Sequence, residues 1–175
     1  SYEAALKSIE RIAKPSAQIM EAKQKILFQL GTQSFANANF EQALQYLNQS
    51  IAIGQYNRQT KADAYYWCGE SYYRLNRMME AARDFNAYLQ LTTQPNNEMY
   101  ALANYNLGYI AFHRKDYTQA SNYFQKYIQL EKGENRTALA DAYNRIGDCH
   151  LNVRNFEEAK HYYSQAEQMN TPSGD

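Results

Sequence analysis

Four glycines recur along the chain at an almost constant interval, and this spacing constrains the fold more than any other feature. Gly31, Gly69, Gly108 and Gly147 are separated by 38, 39 and 39 residues. Each glycine is followed twelve positions later by an alanine; these are Ala43, Ala81, Ala120 and Ala159. A fixed period of this length is typical of an array of one repeated supersecondary unit.

Large apolar residues flank each of these alanines. Those three positions before it are Phe40, Met78, Tyr117 and Phe156, and those four positions after it are Leu47, Phe85, Phe124 and Tyr163. Small residues on both sides of a short turn allow two helices to cross closely, while large groups fill the space between them. The pattern therefore predicts a helical hairpin. A half copy, with Ala5 placed 38 residues before Ala43, precedes the four full ones.

Capping signals mark the turn inside each hairpin. Asn39, Asp116 and Asn155 stand just before the large residue and are followed three positions later by Gln or Glu, which predicts helix N-caps. Arg77 breaks this pattern in the second copy. Since the chain has only 7 glycines and 3 prolines, an all-β protein is excluded and an all-α fold is predicted.

Composition limits the partners. Eighteen Lys and Arg residues balance eighteen Asp and Glu residues, so no overall field draws the chain to nucleic acid or to an anionic membrane. The sequence contains no apolar run near the roughly 20 residues that span a bilayer. At 175 residues, one domain is the default expectation.

The pattern of Leu30, Gly31, Phe40, Ala43 and Leu47, with its three echoes, resembles the tetratricopeptide repeat. This resemblance implies a right-handed α-solenoid of stacked antiparallel helical hairpins and a protein-binding function. We expect a single solenoid domain over residues 1–175. Its expected parts are a half repeat at 1–14, full repeats at about 15–54, 55–92, 93–131 and 132–170, and a tail at 171–175.

The period exceeds the common length of that family, about 34 residues, by slightly more than one helical turn. The stretches NRQTKADAYYW and ENRTALADAYN before Gly69 and Gly147 read as helical, so we infer an extra turn at the start of each first helix. Long repeats of this kind resemble bacterial envelope proteins. The resemblance implies a bacterial periplasmic or envelope location, with the cytoplasm as the alternative.

One helical stripe runs along each first helix, at positions six and three before and one and four after the glycine. In the tetratricopeptide repeat family this stripe lines a concave groove that binds a partner segment. The residues expected there are Phe28, Phe35, Tyr66, Glu70, Tyr73, Arg74, Tyr105, Tyr109, Phe112, His113, Asn144 and Asp148. At the tyrosines, packing between neighbouring first helices competes with ligand contact. Mixed charges with an acidic excess favour a partner that has apolar anchors and one or two basic residues.

Catalytic motifs are missing from the sequence. Adjacent residues such as Cys149 and His150 point about 100° apart on a helix, and no metal-binding or phosphate-loop motif is present. We therefore expect a non-catalytic scaffold without metal or cofactor. Two alternatives stay open: a structural or self-association module that uses its uncovered C-terminal helix 156–169, and single-stranded nucleic-acid binding by tyrosine stacking.

Overall fold

The structure, a computed structural model, describes residues 1–95 and 97–171. Within those ranges every regular element is an α-helix. The helices are α1 Tyr2–Glu10, α2 Ala17–Ala36, α3 Phe40–Ile53, α4 Arg58–Arg74, α5 Met78–Leu91, α6 Glu98–His113, α7 Tyr117–Leu130, α8 Arg136–Asn152 and α9 Phe156–Asn170. Of the predicted tail, only Thr171 lies within the described residues.

The helices divide into two compact units, Ser1–Pro95 and Asn96–Asp175, and each is described by itself. The prediction of one domain with the repeat boundaries above stays a prediction. In the first unit, α2 pairs with α3 and α4 with α5, while α1 packs on α2. In the second unit, α6 pairs with α7 and α8 with α9, and α8 also packs on α7.

The repeated glycines lie where the two helices of each hairpin approach most closely. A Cβ atom on Gly31 would stand 2.5 Å from Cγ of Leu47, and one on Gly108 would stand 2.9 Å from the ring of Phe124. Both distances are too short for ordinary contact, so only glycine allows this approach. The alanines of the pattern are buried as well: Ala43, Ala81 and Ala120 are 0% exposed and Ala159 is 2% exposed. The predicted hairpins are confirmed.

The turn inside every hairpin contains a residue in the left-handed conformation that is not glycine. These residues are Ala38, Asn76, Lys115 and Arg154, with φ angles of 61°, 59°, 64° and 65°. The backbone N–H of the residue that follows bonds the carbonyl five positions earlier, as Asn39 does with Ser34 at 2.8 Å. This is a Schellman motif, and its last residue is also the N-cap of the next helix. All four turns have the same hydrogen bond and the same left-handed position, so the four hairpins share one turn geometry.

The three predicted N-cap positions are confirmed, and two of the three side chains make a capping bond. The side chains of Asn39 and Asp116 each accept the backbone N–H three residues later. Asn155 is the N-cap of α9, as predicted, but its side chain makes no capping bond. The nitrogen of its side-chain amide lies 3.4 Å from Nδ1 of His150.

Arginines hold together the open ends of two hairpins. Arg58, the first residue of α4, donates from Nε to the carbonyl of Leu91 at the end of α5, at 3.0 Å. Arg136, the first residue of α8, donates from Nε to the carbonyl of Met169 at 3.2 Å. Because carbonyls at a helix C-terminus lack partners within the helix, a cation there is stabilising.

First helices are longer than second helices. Helices α4 and α8 each have 17 residues, whereas α5 has 14 and α9 has 15. They begin inside the two stretches that the sequence marks as helical, so the helical interpretation of those stretches is confirmed. The added length extends the first-helix surface on which the predicted site residues lie.

Candidate functional site

The predicted site residues all lie on first helices. They are Phe28 and Phe35 on α2; Tyr66, Glu70, Tyr73 and Arg74 on α4; Tyr105, Tyr109, Phe112 and His113 on α6; and Asn144 and Asp148 on α8. They therefore form two groups, one in each compact unit. Below, the first-unit surface means the group on α2 and α4 together with Trp67, and the second-unit surface means the group on α6 and α8 together with Asp141 and Arg145.

Phe35 is the centre of the first-unit surface. Its ring contacts Phe40 at 5.2 Å and Trp67 at 4.9 Å between ring centroids, both edge to face. The guanidinium of Arg74, an exposed residue, lies 5.4 Å from the Phe35 centroid, a distance at which cation and ring attract. Phe28, further along α2, is half-buried. The two first helices thus present one aromatic patch that has a cation on it.

Tyr66 belongs to the core and not to a binding surface. It is only 3% exposed, and its ring packs against Phe85 and Tyr88 at 5.7 and 5.4 Å. Its hydroxyl donates to Glu70 at 3.0 Å. The expectation that Tyr66 contacts a partner is therefore wrong, because this first-helix position faces the second helix of its own hairpin. Tyr73 stays half-buried, and burial raises its pKa, with the charge of Glu70 adding to the effect.

In the second unit, Tyr105 and Tyr109 share one acceptor. Both hydroxyls donate to Oδ2 of Asp141 on α8, and the two rings lie 5.3 Å apart. Both rings also pack on Phe124, at 5.8 and 5.2 Å. These tyrosines therefore pack neighbouring first helices together while staying half-buried. Burial, followed by the hydrogen bond to Asp141, raises the pKa of each, so both remain neutral donors.

Arg145 links the two carboxylates of this surface. Its Nη1 lies 3.3 Å from Asp148, and its Nε lies 3.9 Å from Oδ1 of Asp141, which is beyond hydrogen-bond reach. Nε is buried without a hydrogen-bond partner among the described residues. Asp148 also accepts a bond from the hydroxyl of Tyr163, whose pKa burial raises to about 12. Two carboxylates face one guanidinium, so the cluster has an acidic excess.

Apolar surface adjoins this cluster. Arg145 lies 6.0 Å from the ring of Phe112, which is half-buried and contacts Tyr117 at 5.8 Å. His113 is exposed, with its ring 6.0 Å from that of Tyr109. Asn144 is half-buried on α8. The second-unit surface thus places an aromatic pair, an imidazole and an ion-pair network side by side.

Sequence reasoning placed Asp141 on this stripe but missed the role of Arg145, which lies one position outside it. The helical spacing of Asp141, Arg145 and Asp148, four and three residues apart, could have shown the network. Cys68 and Cys149 are free and buried. No described group of three or more His, Cys, Asp or Glu could hold a metal ion. Likewise, in the part of the chain that the structure describes, a helix long and apolar enough to cross a membrane is not found.

Comparison with known families gives two matches, both described as tetratricopeptide repeat. One covers residues 98–171 and the other residues 28–98, so together they extend over most of the chain. No curated protein matches the sequence.

Several solved structures have a similar fold. A crystal structure of MamA is 19% identical, with 96% of this chain and 88% of that chain covered and a TM-score of 0.69. BtubC from P. vanneervenii is 14% identical, with 99% and 74% covered and a TM-score of 0.74. The apo form of RapI is 13% identical, with 96% and 61% covered and a TM-score of 0.72. At these identities the likeness shows the fold alone, and it confirms the predicted all-α repeat solenoid class.

Proposed function

Because the chain belongs to the tetratricopeptide repeat family, we propose that it is a non-catalytic protein-interaction scaffold that holds partner segments on the surfaces of its first helices. The observation that carries the proposal is the second-unit surface. It combines half-buried aromatic rings with an ion-pair network in which two carboxylates, Asp141 and Asp148, face one guanidinium, that of Arg145. Rings of this kind offer large, stiff contact area and dominate the energetics of many interfaces.

The charges of the second-unit surface favour a partner with a basic residue. Asp141 already accepts two tyrosine hydroxyls through Oδ2, while its Oδ1 stands 3.9 Å from Nε of Arg145. This oxygen can accept a hydrogen bond from a lysine or arginine of a partner. The added positive charge would then balance the second carboxylate, since Arg145 alone faces both Asp141 and Asp148. An apolar anchor next to that residue would cover Phe112 and Tyr109. The partner segment is therefore apolar with one or two basic residues.

The first-unit surface favours an acidic or aromatic partner residue instead of a basic one. Arg74 lies over the Phe35 ring and is exposed, so it can receive a carboxylate or an aromatic ring of a partner while Trp67 supports the patch from α4. A partner that engages both surfaces would therefore have acidic and basic residues in separate parts of its sequence.

Self-association is the second candidate function. Leu151, Val153 and Phe156, around the turn of the last hairpin, are 45%, 57% and 54% exposed. Further along α9, however, Lys160 and Glu167 are charged and exposed. The equivalent positions of α7, 39 residues earlier, are occupied by the uncharged Ser121 and Ile128. Because this face of α9 is polar, stacking of another molecule along the whole helix is disfavoured. We therefore propose that the apolar turn between α8 and the start of α9 makes the contact.

Single-stranded nucleic acid fits the surface less well. Stacking requires accessible ring faces, and Tyr66 is 3% exposed. Tyr105 and Tyr109 both lie against the carboxylate of Asp141, which would repel a phosphate backbone. Location in the bacterial envelope, with the cytoplasm as the alternative, stays a prediction.

The test is an affinity capture from the source organism with the unaltered chain and three variants. Phe112→Ala removes the apolar contact, and Asp141→Asn removes the charge while keeping an acceptor for the two tyrosines. Glu157→Gln, at an exposed residue outside the surface, is the matched control. We expect a protein that is retained by the unaltered chain and by the control but lost from the two surface variants.

Circular dichroism of each variant establishes that it is folded. Peptides that tile the captured protein then locate the bound segment, which should contain apolar residues beside a lysine or an arginine. Equal retention by all three variants would refute the proposal for the second-unit surface. A bound segment without any basic residue would refute the partner chemistry and leave the site in place.

A further inference from the structure

The second unit also contains a groove, and none of the residues that line it belongs to the second-unit surface. Two adjoining depressions of about 260 and 290 Å³ meet at Gln125 of α7. Asn122 and Gln129 of α7 line them on one side, and Tyr162 and Gln165 of α9 on the other. Helix α8 contributes Tyr143 and His150 between these two helices. We call these lining residues the outer groove.

Charge is absent from this groove. None of the described residues that line the two depressions is Asp, Glu, Lys or Arg, although such residues make up 21% of the chain. By contrast, a third depression of the same unit is lined by Glu98, Glu131 and Arg136 among others. A charged ligand would lose hydration in the outer groove without gaining a counter-charge, so the ligand that fits is uncharged.

Aromatic rings form the centre of the outer groove. The Tyr162 ring stacks on His150 at 5.4 Å with an angle of 7° between the planes, and on Tyr143 at 6.4 Å with an angle of 29°. His161 meets the edge of the same ring at 5.3 Å. Such a cluster offers flat apolar faces against which proline rings pack in known recognition domains.

Amide groups along the groove are available for hydrogen bonds. The side-chain amide of Gln125 donates to Ser121 at 3.2 Å, but the side chains of Asn122, Gln129 and Gln165 make no hydrogen bond to another described residue. A segment in the polyproline II conformation makes no internal hydrogen bonds, so its carbonyls can accept from these amides. Asn122 and Gln129 are seven residues apart, or roughly 10 Å along α7, which is close to the roughly 9 Å turn of that conformation.

We propose that the outer groove binds an uncharged, proline-rich segment in the polyproline II conformation. The distance from Tyr117 to Gln129 along α7 is roughly 18 Å, enough for about six residues of such a segment. This binding site goes beyond the proposed function, because it lies outside the second-unit surface and selects a partner of different chemistry. The same chain would then hold a basic, apolar segment on one surface and a neutral one on another.

The test is nuclear magnetic resonance of the isotope-labelled full chain with a capped peptide of about ten prolines. We expect shifts of the side-chain amide signals of Asn122, Gln129 and Gln165. The dissociation constant should rise at least about fivefold in Tyr162→Ala. Because Tyr162→Ala also removes ring packing, the double variant Gln129→Ala, Gln165→Ala provides an independent test at side chains that make no hydrogen bond to other described residues.

The matched control is Lys126→Ala, Lys160→Ala, which shortens exposed side chains on the same two helices outside the groove. The control should bind the peptide as the unaltered chain does. The proposal is overturned if proline peptide at about 1 mM shifts no signal of the groove. It is also overturned if the double amide variant binds unchanged, or if a capped acidic or basic peptide of equal length binds more tightly.

Discussion

Substituting Gly69 with alanine should destabilise the first unit, although the same change in a helix interior normally stabilises. A Cβ atom on Gly69 would lie 2.7, 2.8 and 2.9 Å from three ring carbons of Phe85, whereas ordinary contacts are 3.4 to 4 Å. Phe85 is 0% exposed, so its ring is covered on all sides and cannot move into solvent. Overpacking of this kind costs about 3 kcal/mol at its upper end, and the gain in helix propensity is about 1 kcal/mol. We therefore expect a net loss of about 2 kcal/mol.

Trp67 is the only tryptophan and belongs to the same helix, so its fluorescence during urea denaturation reports on this unit. The control is the double variant Gly69→Ala, Phe85→Leu, in which the smaller side chain makes room for the added methyl group. Phe85→Leu should lower the free energy of unfolding by at least about 1 kcal/mol less when residue 69 is alanine than when it is glycine. If Gly69→Ala is as stable as the unaltered chain or more stable, close helix approach does not explain the repeated glycine.

Three further outcomes are expected. Ala38→Gly should stabilise the first unit by about 1 kcal/mol in the same Trp67 assay, because glycine adopts the positive φ of this turn without strain; an unchanged or lower stability would contradict it. Burial raises the pKa of Asp84 and outweighs the ion pair with the largely exposed Arg83, so the folded chain should lose stability as pH rises from the unfolded pKa of this carboxyl through its folded pKa. Asp84→Asn should therefore show a smaller loss between about pH 4 and pH 7 in urea titrations, and equal losses would count against this cause. Since the pKa of Tyr105 is also raised, Tyr105→Phe should lose less stability than the unaltered chain between about pH 9 and pH 11, when denaturation is followed by circular dichroism.

The repeat could be predicted from the sequence because its constraints are local and occur four times. Gly31 and Leu47 stand sixteen residues apart in one hairpin, and the structure brings them into contact as the pattern requires. The turn residues were less readable. Nothing in the identities of Ala38 and Lys115 indicates a left-handed conformation, because the hydrogen bonds of the turn and not the side chain impose it. Asn155 lies at its predicted N-cap position, but the sequence did not indicate that its side-chain amide would lie beside His150 without making a capping bond.

The candidate site was predictable as a stripe but not in its burial. Tyr66 and Tyr105 occupy the same position of their repeats, three before the glycine, yet one is 3% exposed and the other half-buried. The difference depends on neighbours that no single repeat specifies. Tyr105 finds its acceptor, Asp141, 36 residues away on the next first helix. Long-range pairs of this kind depend on how hairpins are placed, which residue spacing within one hairpin does not encode.

The arginines at the first positions of α4 and α8 have a consequence for how these two hairpins open. Each hairpin is a chain segment whose ends are tied, by Arg58 to Leu91 and by Arg136 to Met169, so the segment is a closed ring of about 34 residues. Opening at the helix ends must break this tie before any turn of helix is released. Fraying normally begins at each helix terminus separately. Here the start of the first helix and the end of the second helix, which are distant in sequence, should fray together. In these hairpins the amide hydrogens of the last turn of the second helix should exchange together with the first amides of the first helix that donate to a backbone carbonyl, those of Lys61 and Leu139.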